Sequence, residues 1–206
     1  MAWKSWVLWI LGIGLVLLSS CAPEQPASWT DDFSDPGSGW KTESDASAEV
    51  GYHDGKMRIF VVVPNRLAWV SLAQEFSDFR LTVDATQVAG PDDNEYGVLV
   101  RMKDSGSFYR FSISGDGYYM ISKYDGDIWT PLSGDWAPSD AIHSGQAKNQ
   151  IVVVCDGAHL EFFVNDVLMA EIDDESYAKG GIGLYVGSFF ESGVEVHFDN
   201  LTVSSP

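Results

Sequence analysis

From Trp29 to the C-terminus, short runs of alternating apolar and polar residues are separated by turn dipeptides. This period-two alternation is typical of half-buried β-strands, and it constrains the fold more than any other feature of the chain. Asp116-Gly117, Asp125-Gly126 and Asp156-Gly157 are hairpin signals because both residue types tolerate a positive φ, and Asn165-Asp166 is a weaker one. No segment keeps a helical period over ten residues.

The pattern predicts an all-β domain over residues 30–206. With 45% apolar and 20% charged residues, the chain can bury a core. So many strands in one domain imply a two-sheet antiparallel sandwich. We expect strands near residues 48–52, 56–63, 67–75, 78–87, 95–103, 108–114, 118–124, 149–155, 159–164, 167–172, 181–187 and 193–203.

The first twenty residues have the pattern of a signal peptide, with Lys4 before an uncharged apolar run that is short for a membrane span. The run ends in Leu-Ser-Ser-Cys21, which resembles the bacterial lipobox. That resemblance implies cleavage before Cys21, lipidation of its thiol and anchoring in the cell envelope, facing outside the cytoplasm. The alternatives are an ordinary secretory signal or an uncleaved helix. Residues 21–29, which include two prolines, are expected to be a flexible tether.

The charge excludes some classes of partner. The net charge is −18, and removal of Lys4 leaves 11 basic against 30 acidic residues, or −19. Such acidity argues against binding nucleic acid and against docking on anionic lipid through charge. Lipidation of Cys21 would leave Cys155 as a lone thiol in an apolar strand, where it is expected to be a buried small hydrophobe.

Three consecutive strands can be paired from the turns between them. If Asp116-Gly117 is a two-residue turn and 104–107 a four-residue loop, one face is predicted to be core: Val98, Val100, Met102, Tyr109, Phe111, Ile113, Met120 and Tyr124. The other face would then carry Leu99, Arg101, Lys103, Phe108, Arg110, Ser112, Ser114, Tyr119, Ile121 and Lys123.

Three segments resemble concanavalin A-like jelly rolls: DDFSDPGSGW, EYGVLVRMKDSGSFYRFSISGDGYYMISKYDGDIWTPL, and HLEFFVNDVLMAEI followed by GGIGLYVGSFFESGVEVHFDNLTV. Within that superfamily the chain is most similar to laminin-G-like and DUF1080-type domains, the latter related in fold to family 16 glycoside hydrolases. The resemblance covers about residues 30–203. It implies two curved antiparallel sheets with adjacent terminal strands. The fold hosts lectins, enzymes and adhesion modules alike, so it does not specify one activity.

One segment resembles the Glu-x-Asp-x-Glu motif of the family 16 hydrolases, in which alternate strand residues supply paired carboxylates. Residues 171–175 read EIDDE. The fourth position is Asp where the family has an apolar residue, and the segment runs late in the chain into a loop. We therefore interpret it as a solvated strand end and expect no catalytic residues.

The predicted polar face carries the candidate ligand-binding residues. There Arg101 and Arg110 would lie opposite each other, which is unfavourable unless something negative offsets them. Asp84 on the neighbouring strand could supply that charge, or the two arginines could bind sugar hydroxyls or a carboxylate beside Tyr119 and Lys123. Of the aromatic candidates for stacking on sugars, Trp69, Trp129, Trp136, Tyr118 and Tyr119, the better ones are Trp129 and Trp136, which flank a loop.

Metal signals are weak. Structural Ca²⁺ is possible near 92–95, or near Asp31, Asp32 and Asp199 if the terminal strands meet, but no ligand set with defined spacing is present. The histidines show no zinc-like spacing. No cofactor is expected.

The leading hypothesis is a lipid-anchored, non-catalytic module that binds glycan or another extracellular polymer through one sheet face. A glycoside hydrolase of DUF1080 or family 16 type is the first alternative. A structural module that only contacts proteins is the second.

Overall fold

A computed structural model describes Met1 and residues 28–206, so the predicted signal peptide and most of the tether lie outside the described residues. Within the described part of the chain no helix is present that could cross a membrane. The strands are β1 (Ser28–Asp31), β2 (Ala48–His53), β3 (Lys56–Val61), β4 (Arg66–Phe76), β5 (Phe79–Ala89), β6 (Asn94–Asp104), β7 (Ser107–Ile113), β8 (Tyr118–Asp125), β9 (Ile128–Pro131), β10 (Ala137–Pro138), β11 (Lys148–Asp156), β12 (His159–Val164), β13 (Val167–Asp173), β14 (Gly180–Ser188) and β15 (Val194–Ser204).

The strands form two antiparallel sheets, as predicted. Sheet A has the order β13-β12-β11-β5-β15-β3-β2, and β1 also pairs with β15, so the terminal strands are adjacent. Sheet B has the order β10-β8-β7-β6-β14-β4, and β9 also pairs with β8. All twelve predicted strands are present. The short strands β1, β9 and β10 were not predicted, because four residues or fewer carry too little alternation to detect.

The core lies between the sheets and is built from the alternate residues that the period-two pattern selects. Ile59 on β3, Leu81 on β5 and Phe198 on β15 are buried on sheet A, opposite Val98 and Phe111 on sheet B. Cys155 is a buried free thiol, as predicted. Burial raises its pKa to about 12, so the thiol stays protonated and unreactive at neutral pH.

The predicted pairing of β6, β7 and β8 is correct for β7 and wrong for β8. Val98, Val100, Tyr109, Phe111 and Ile113 face the core as expected. The β7–β8 turn, however, places Ile113 opposite Tyr119, which makes a three-residue loop over 115–117 instead of two residues.

This extra loop residue shifts β8 by one position and exchanges its faces, because the side-chain period of a strand is two. Ile121 is therefore in the core and Tyr119 packs against it, whereas Tyr124 lies on the outer face of sheet B.

The β6–β7 pairing is also interrupted. Val100 pairs with Tyr109 and Asp104 with Ser107, so three residues of β6 oppose Phe108 alone. Arg101 begins this bulge with a φ of 52°, a left-handed conformation that residues other than glycine rarely adopt. Gly180 on β14 accommodates the bulge, since a Cβ there would lie 2.5 Å from the Arg101 backbone.

Candidate functional site

The outer face of sheet B, which points away from sheet A, carries a second cluster of buried apolar residues. Leu99, Phe108 and Tyr185 are buried there, and Trp69 and Tyr124 pack against them. Residues on the outer face of a sandwich are ordinarily exposed to solvent on that side. The burial of these residues means that neighbouring side chains cover part of the outer face.

A pocket of about 350 Å³ opens on this face beside the cluster. We call it the Arg110 pocket, and its lining residues are Asn65, Arg66, Leu67, Glu95, Arg110, Trp129, Ser188 and Phe189. Its volume lies at the lower end of the range typical of small-molecule sites, about 300–1,000 Å³.

Arg110 and Glu95 form an ion pair on the outer face of sheet B, where they line the pocket. Arg110 Nη1 lies 2.8 Å from Glu95 Oε2, and both side chains are about one-tenth exposed. Arg110 Nε donates to Ser122 Oγ at 3.2 Å, which fixes the guanidinium from the β8 side. Among the described residues, the buried Glu95 Oε2 makes no hydrogen bond of acceptable geometry. The pair therefore places a guanidinium and a largely buried carboxyl in the wall of the pocket.

The protonation of Glu95 reflects its burial. Burial raises the pKa of this carboxyl above its ordinary value, and the attraction of the Arg110 charge only partly opposes that effect. Gly187 on β14 provides the space that Glu95 needs, since a Cβ at this position would lie 2.6 Å from Glu95 Cγ. The lack of a side chain at position 187 is thus part of the construction of the pocket.

Trp129 forms the aromatic wall of the pocket. Its ring stacks on Tyr124 with 4.5 Å between centroids, and Arg110 Cζ lies 4.1 Å from its centroid. It is 42% exposed, so part of a rigidly held indole still faces solvent. Phe189 stands on the same rim and is held edge-on by Trp136. Donor, acceptor and aromatic groups together are what a sugar ring requires, with hydroxyls around its edge and C–H groups on its faces.

Of the predicted ligand-binding residues, the structure brings only Arg110 and Trp129 together in this pocket. The prediction that Arg101 lies opposite Arg110 on one face is wrong, because Arg110 pairs with Leu99 and the β6 bulge redirects Arg101. Arg101 is 1% exposed and donates to the carbonyl oxygens of Ser77, Gly157 and Tyr177. It joins three loops at one end of the sandwich.

The other three candidates also lie elsewhere. Tyr119 faces the core, as a result of the three-residue turn. Asp84 does not offset Arg110, since it belongs to β5 of sheet A, where it accepts from Lys148 and Asn200. The residue that does offset Arg110, Glu95, was missed as its partner, because its side chain reaches Arg110 from a position not directly opposite it.

Lys123 belongs to a polar network that fixes the β13–β14 connection. Its Nζ donates to Asp174 Oδ2 at 2.7 Å, and Tyr109 donates to Asp174 Oδ1 at 2.6 Å. Burial alone would raise the pKa of Asp174. The hydrogen bonds from Lys123, Ser176 and Tyr109 outweigh it and hold the pKa well below its ordinary value.

This network predicts a measurable dependence of stability on acid. A carboxyl with a depressed folded-state pKa stabilises the fold above its unfolded pKa, and that contribution is lost as pH falls through the folded value. Asp174→Asn should lower the free energy of unfolding by about 2 kcal/mol at pH 7. The difference from the parent protein should shrink steadily below about pH 5. Urea unfolding at pH 7, 5 and 3 measures this, and a difference that stays constant with pH would contradict it.

The acidic candidates are the EIDDE segment and the possible calcium ligands, and the latter bond mostly to other groups of the protein. The EIDDE segment ends β13 at the edge of sheet A, and its Glu171, Asp173 and Glu175 are exposed. The prediction of a solvated strand end is therefore confirmed for these residues but not for Asp174, which lies in the Lys123 network. Asp31 accepts from Trp40 Nε1 and from the Phe33 backbone, and Asn94 bonds Gln87 and Gly115. Asp199 pairs with Lys56. Calcium binding by these residues stays a prediction.

One cluster of possible metal ligands was not predicted from the sequence. His159, Glu161 and Glu171 offer ligand atoms that lie within 4.8 Å of one another across the β12–β13 pair. A hydrogen bond to Asp173 raises the pKa of His159. Strand register, not spacing along the chain, creates this group, so no linear motif could reveal it.

The two antiparallel sheets have the fold of a concanavalin A-like jelly roll. Three solved structures share the fold. The carbohydrate-binding module CBM66 from Bacillus subtilis has a TM-score of 0.57 at 18% identity, covering 81% of this chain and 96% of that one. A β-glucanase from Bacillus licheniformis has a TM-score of 0.65 at 9% identity, covering 89% and 100%. A GH16 protein of a Bacteroides ovatus mixed-linkage glucan locus has a TM-score of 0.62 at 9% identity, covering 85% and 99%.

The family follows from the sequence itself. A profile described as the 3-keto-alpha-glucoside-1,2-lyase-like domain matches residues 28–204, and the chain belongs to that family. The DUF1080-type resemblance is thereby confirmed. Comparison with curated proteins gives no match.

Proposed function

We propose that this protein binds carbohydrate in the Arg110 pocket and does not cleave it. The observation that carries the proposal is the arrangement of three groups at one opening: the Arg110 guanidinium, the Glu95 carboxylate and the exposed part of Trp129. Arg110 can donate to sugar hydroxyls, Glu95 can accept from them, and the indole can cover a C–H face. The fold likeness to a carbohydrate-binding module supports this function.

The composition of the pocket argues against hydrolysis by a carboxylate pair. Retaining glycosidases need two carboxyl groups about 5–5.5 Å apart, and inverting ones about 6.5–9.5 Å. Glu95 is the one carboxylate among the described residues that line the Arg110 pocket. The EIDDE segment, the other sequence candidate, lies on sheet A. The pocket therefore offers one carboxyl group, where the retaining and the inverting route each need two.

Elimination is the second candidate, because it requires only one base. In a 3-keto-glucoside the ketone acidifies the C2 proton. When a base removes it, a C1=C2 double bond forms as the C1–O bond breaks, and the protonated base can return the proton to the leaving oxygen. The family description and the raised pKa of Glu95, which suits a base working nearer neutral pH, favour this reaction. Incubation with 3-keto-trehalose, followed by mass spectrometry, distinguishes it. Binding without turnover supports the first proposal, whereas product that disappears in Glu95→Gln establishes the second.

The glycan itself can be sought on an array with the full chain in mild detergent. We expect a defined group of neutral glycans to bind and Trp129→Ala to weaken that binding by at least tenfold. Phe60→Ala is the matched control, since Phe60 lies on sheet A with Arg58 Cζ 5.0 Å from its ring centroid. A folded parent protein that binds no glycan would overturn the proposal.

We further propose that Cys21 carries a lipid that anchors the protein in the cell envelope. The support is the Leu-Ser-Ser-Cys sequence after the apolar run. In a bacterial host, Cys21→Ser should lose incorporation of an alkyne fatty acid and leave the membrane fraction, because cleavage and acylation both act at this residue. Click labelling and fractionation measure this, with Cys155→Ser as the control. Equal labelling of Cys21→Ser and the parent protein would contradict the anchor.

A further inference from the structure

Two more clefts continue from the Arg110 pocket along β4. The first has a volume of about 340 Å³ and shares Arg66 and Leu67 with the pocket. The second has a volume of about 250 Å³ and shares Lys41, Trp69, Ser71 and Ser105 with the first. Because neighbouring clefts share lining residues, the three openings adjoin one another along β4, and we treat them together as one depression. We call the part beyond the pocket, over residues 66–75, the β4 trough.

The trough has an aromatic floor and polar walls. Trp69 lies between the two clefts, half-buried against the Leu99, Phe108 and Tyr185 cluster. One wall is the segment 41–45, which is fixed to β4 by a hydrogen bond from Lys41 N to Ser71 O. The turn around Ser105 forms the other wall. A fixed indole between two hydrophilic walls is a suitable platform for a sugar ring.

The trough is longer than a disaccharide. From Arg66 to Glu75 a strand with a rise of about 3.3 Å per residue extends roughly 30 Å. Arg66 stands where the pocket and trough meet, and its ion pair with Asp45 holds it against one wall. A ligand seated at Trp129 could therefore continue past Arg66 to Trp69 without leaving the surface.

The charge of the depression selects an uncharged ligand. Its lining contains four basic side chains, Lys41, Arg66, Lys103 and Arg110, and five acidic ones, Glu43, Asp45, Glu75, Glu95 and Asp104. The lining thus has a net charge of −1 in a chain whose net charge is −18. A polyanion would need a basic groove and a polycation a clearly acidic one. Near neutrality with many hydrogen-bonding groups fits a polyhydroxylated, uncharged chain.

We propose that an uncharged polysaccharide lies along the β4 trough, with one sugar on Trp69 and its continuation in the Arg110 pocket. This inference rests on the proposed carbohydrate binding and extends it from a single pocket to a polymer site. It makes the ligand class a chain of several sugar units.

Affinity electrophoresis of the full chain tests this in gels that contain mixed-linkage β-glucan, pullulan, levan or galactan, with alginate as the anionic comparison. The polymer that retards the protein is then titrated as fragments of two and six units. We expect at least a tenfold gain in affinity from two units to six, about 1.4 kcal/mol. Ser105→Arg, an exposed substitution that obstructs the trough, should remove that gain, as should Trp69→Ala. Phe60→Ala should keep it.

The outcomes separate the two proposals. The polymer site is overturned if affinity does not depend on fragment length, or if the gain from two to six units survives Ser105→Arg. In either case, loss of binding in Trp129→Ala would still support binding in the Arg110 pocket. Stronger retardation by alginate overturns the uncharged ligand. Retardation by no polymer overturns the trough, and absence of binding to short glycans as well overturns both.

Discussion

Arg101→Met should lower the free energy of unfolding by about 3–5 kcal/mol, a larger loss of stability than the one expected for Asp174→Asn. Arg101 is almost fully buried and makes hydrogen bonds to the Ser77, Gly157 and Tyr177 carbonyl oxygens. Methionine fills a similar volume but cannot donate, so it leaves the buried Tyr177 oxygen and the part-buried Ser77 and Gly157 oxygens without the guanidinium. Buried acceptors without partners cost about 1–3 kcal/mol each, which sets the scale of the loss.

Urea unfolding provides the measurement, because the transition midpoint and slope give the free energy directly. Lys103→Met is the matched control on the same strand, since Lys103 is exposed and its ammonium lies 4.7 Å from the Tyr177 ring centroid. That variant should change stability by less than about 1 kcal/mol. A similarly small change in Arg101→Met would show that the three loops do not depend on the guanidinium.

Trp129→Ala should weaken glycan binding by about 10- to 100-fold, since truncation of a central aromatic contact typically costs 2 kcal/mol or more. The loss has two parts. The exposed indole surface disappears, and Arg110 loses the ring 4.1 Å from its Cζ, so the guanidinium is less well fixed. The fold should tolerate the change, because β9 lies at the periphery of sheet B.

Isothermal titration with the glycan found on the array measures this effect. Arg110→Lys separates the two parts, since it keeps the charge but removes the planar group that contacts the indole. Phe60→Ala should bind as the parent protein does. If Trp129→Ala binds within twofold of the parent protein, the pocket is not the binding site.

Local alternation was sufficient to predict the architecture. Residues such as Ile59, Leu81 and Phe198 fall on the core face of their strands whatever the turns do, because each strand has its own period. The resemblance of the terminal segments likewise predicted that the two ends of the domain are adjacent, and the pairing of β1 with β15 confirms this.

The site was less predictable because it depends on irregularities. One additional residue in the 115–117 loop places Tyr119 on the core face. The bulge in β6 separates Arg101 from Arg110. Neither feature has a distinctive residue signature, since Asp-Gly also occurs in three-residue loops and arginine rarely adopts a positive φ. Arg110 was placed correctly because it lies on the regular strand β7, and Trp129 was selected because it flanks a loop.

Glu95 shows a different limit. Its partner is not directly opposite it, and the space it occupies exists because position 187 on β14 is glycine. Sequence alternation assigns a residue to a face but does not tell which two side chains on that face meet. An outward glycine opposite an acidic residue, as in the Glu95–Gly187 pair, is the one signal that could have suggested a recess there.

The most direct test of carbohydrate binding at the Arg110 pocket uses the indole N–H resonances of the ¹⁵N-labelled protein. Trp129 and Trp40 are assigned by single substitution to Phe and followed while the array glycan is titrated to saturation. We expect the Trp129 resonance to move with the binding curve, whereas Trp40, buried with its Nε1 bonded to Asp31, stays in place. Saturation of binding with an unmoved Trp129 resonance would contradict carbohydrate binding at the Arg110 pocket.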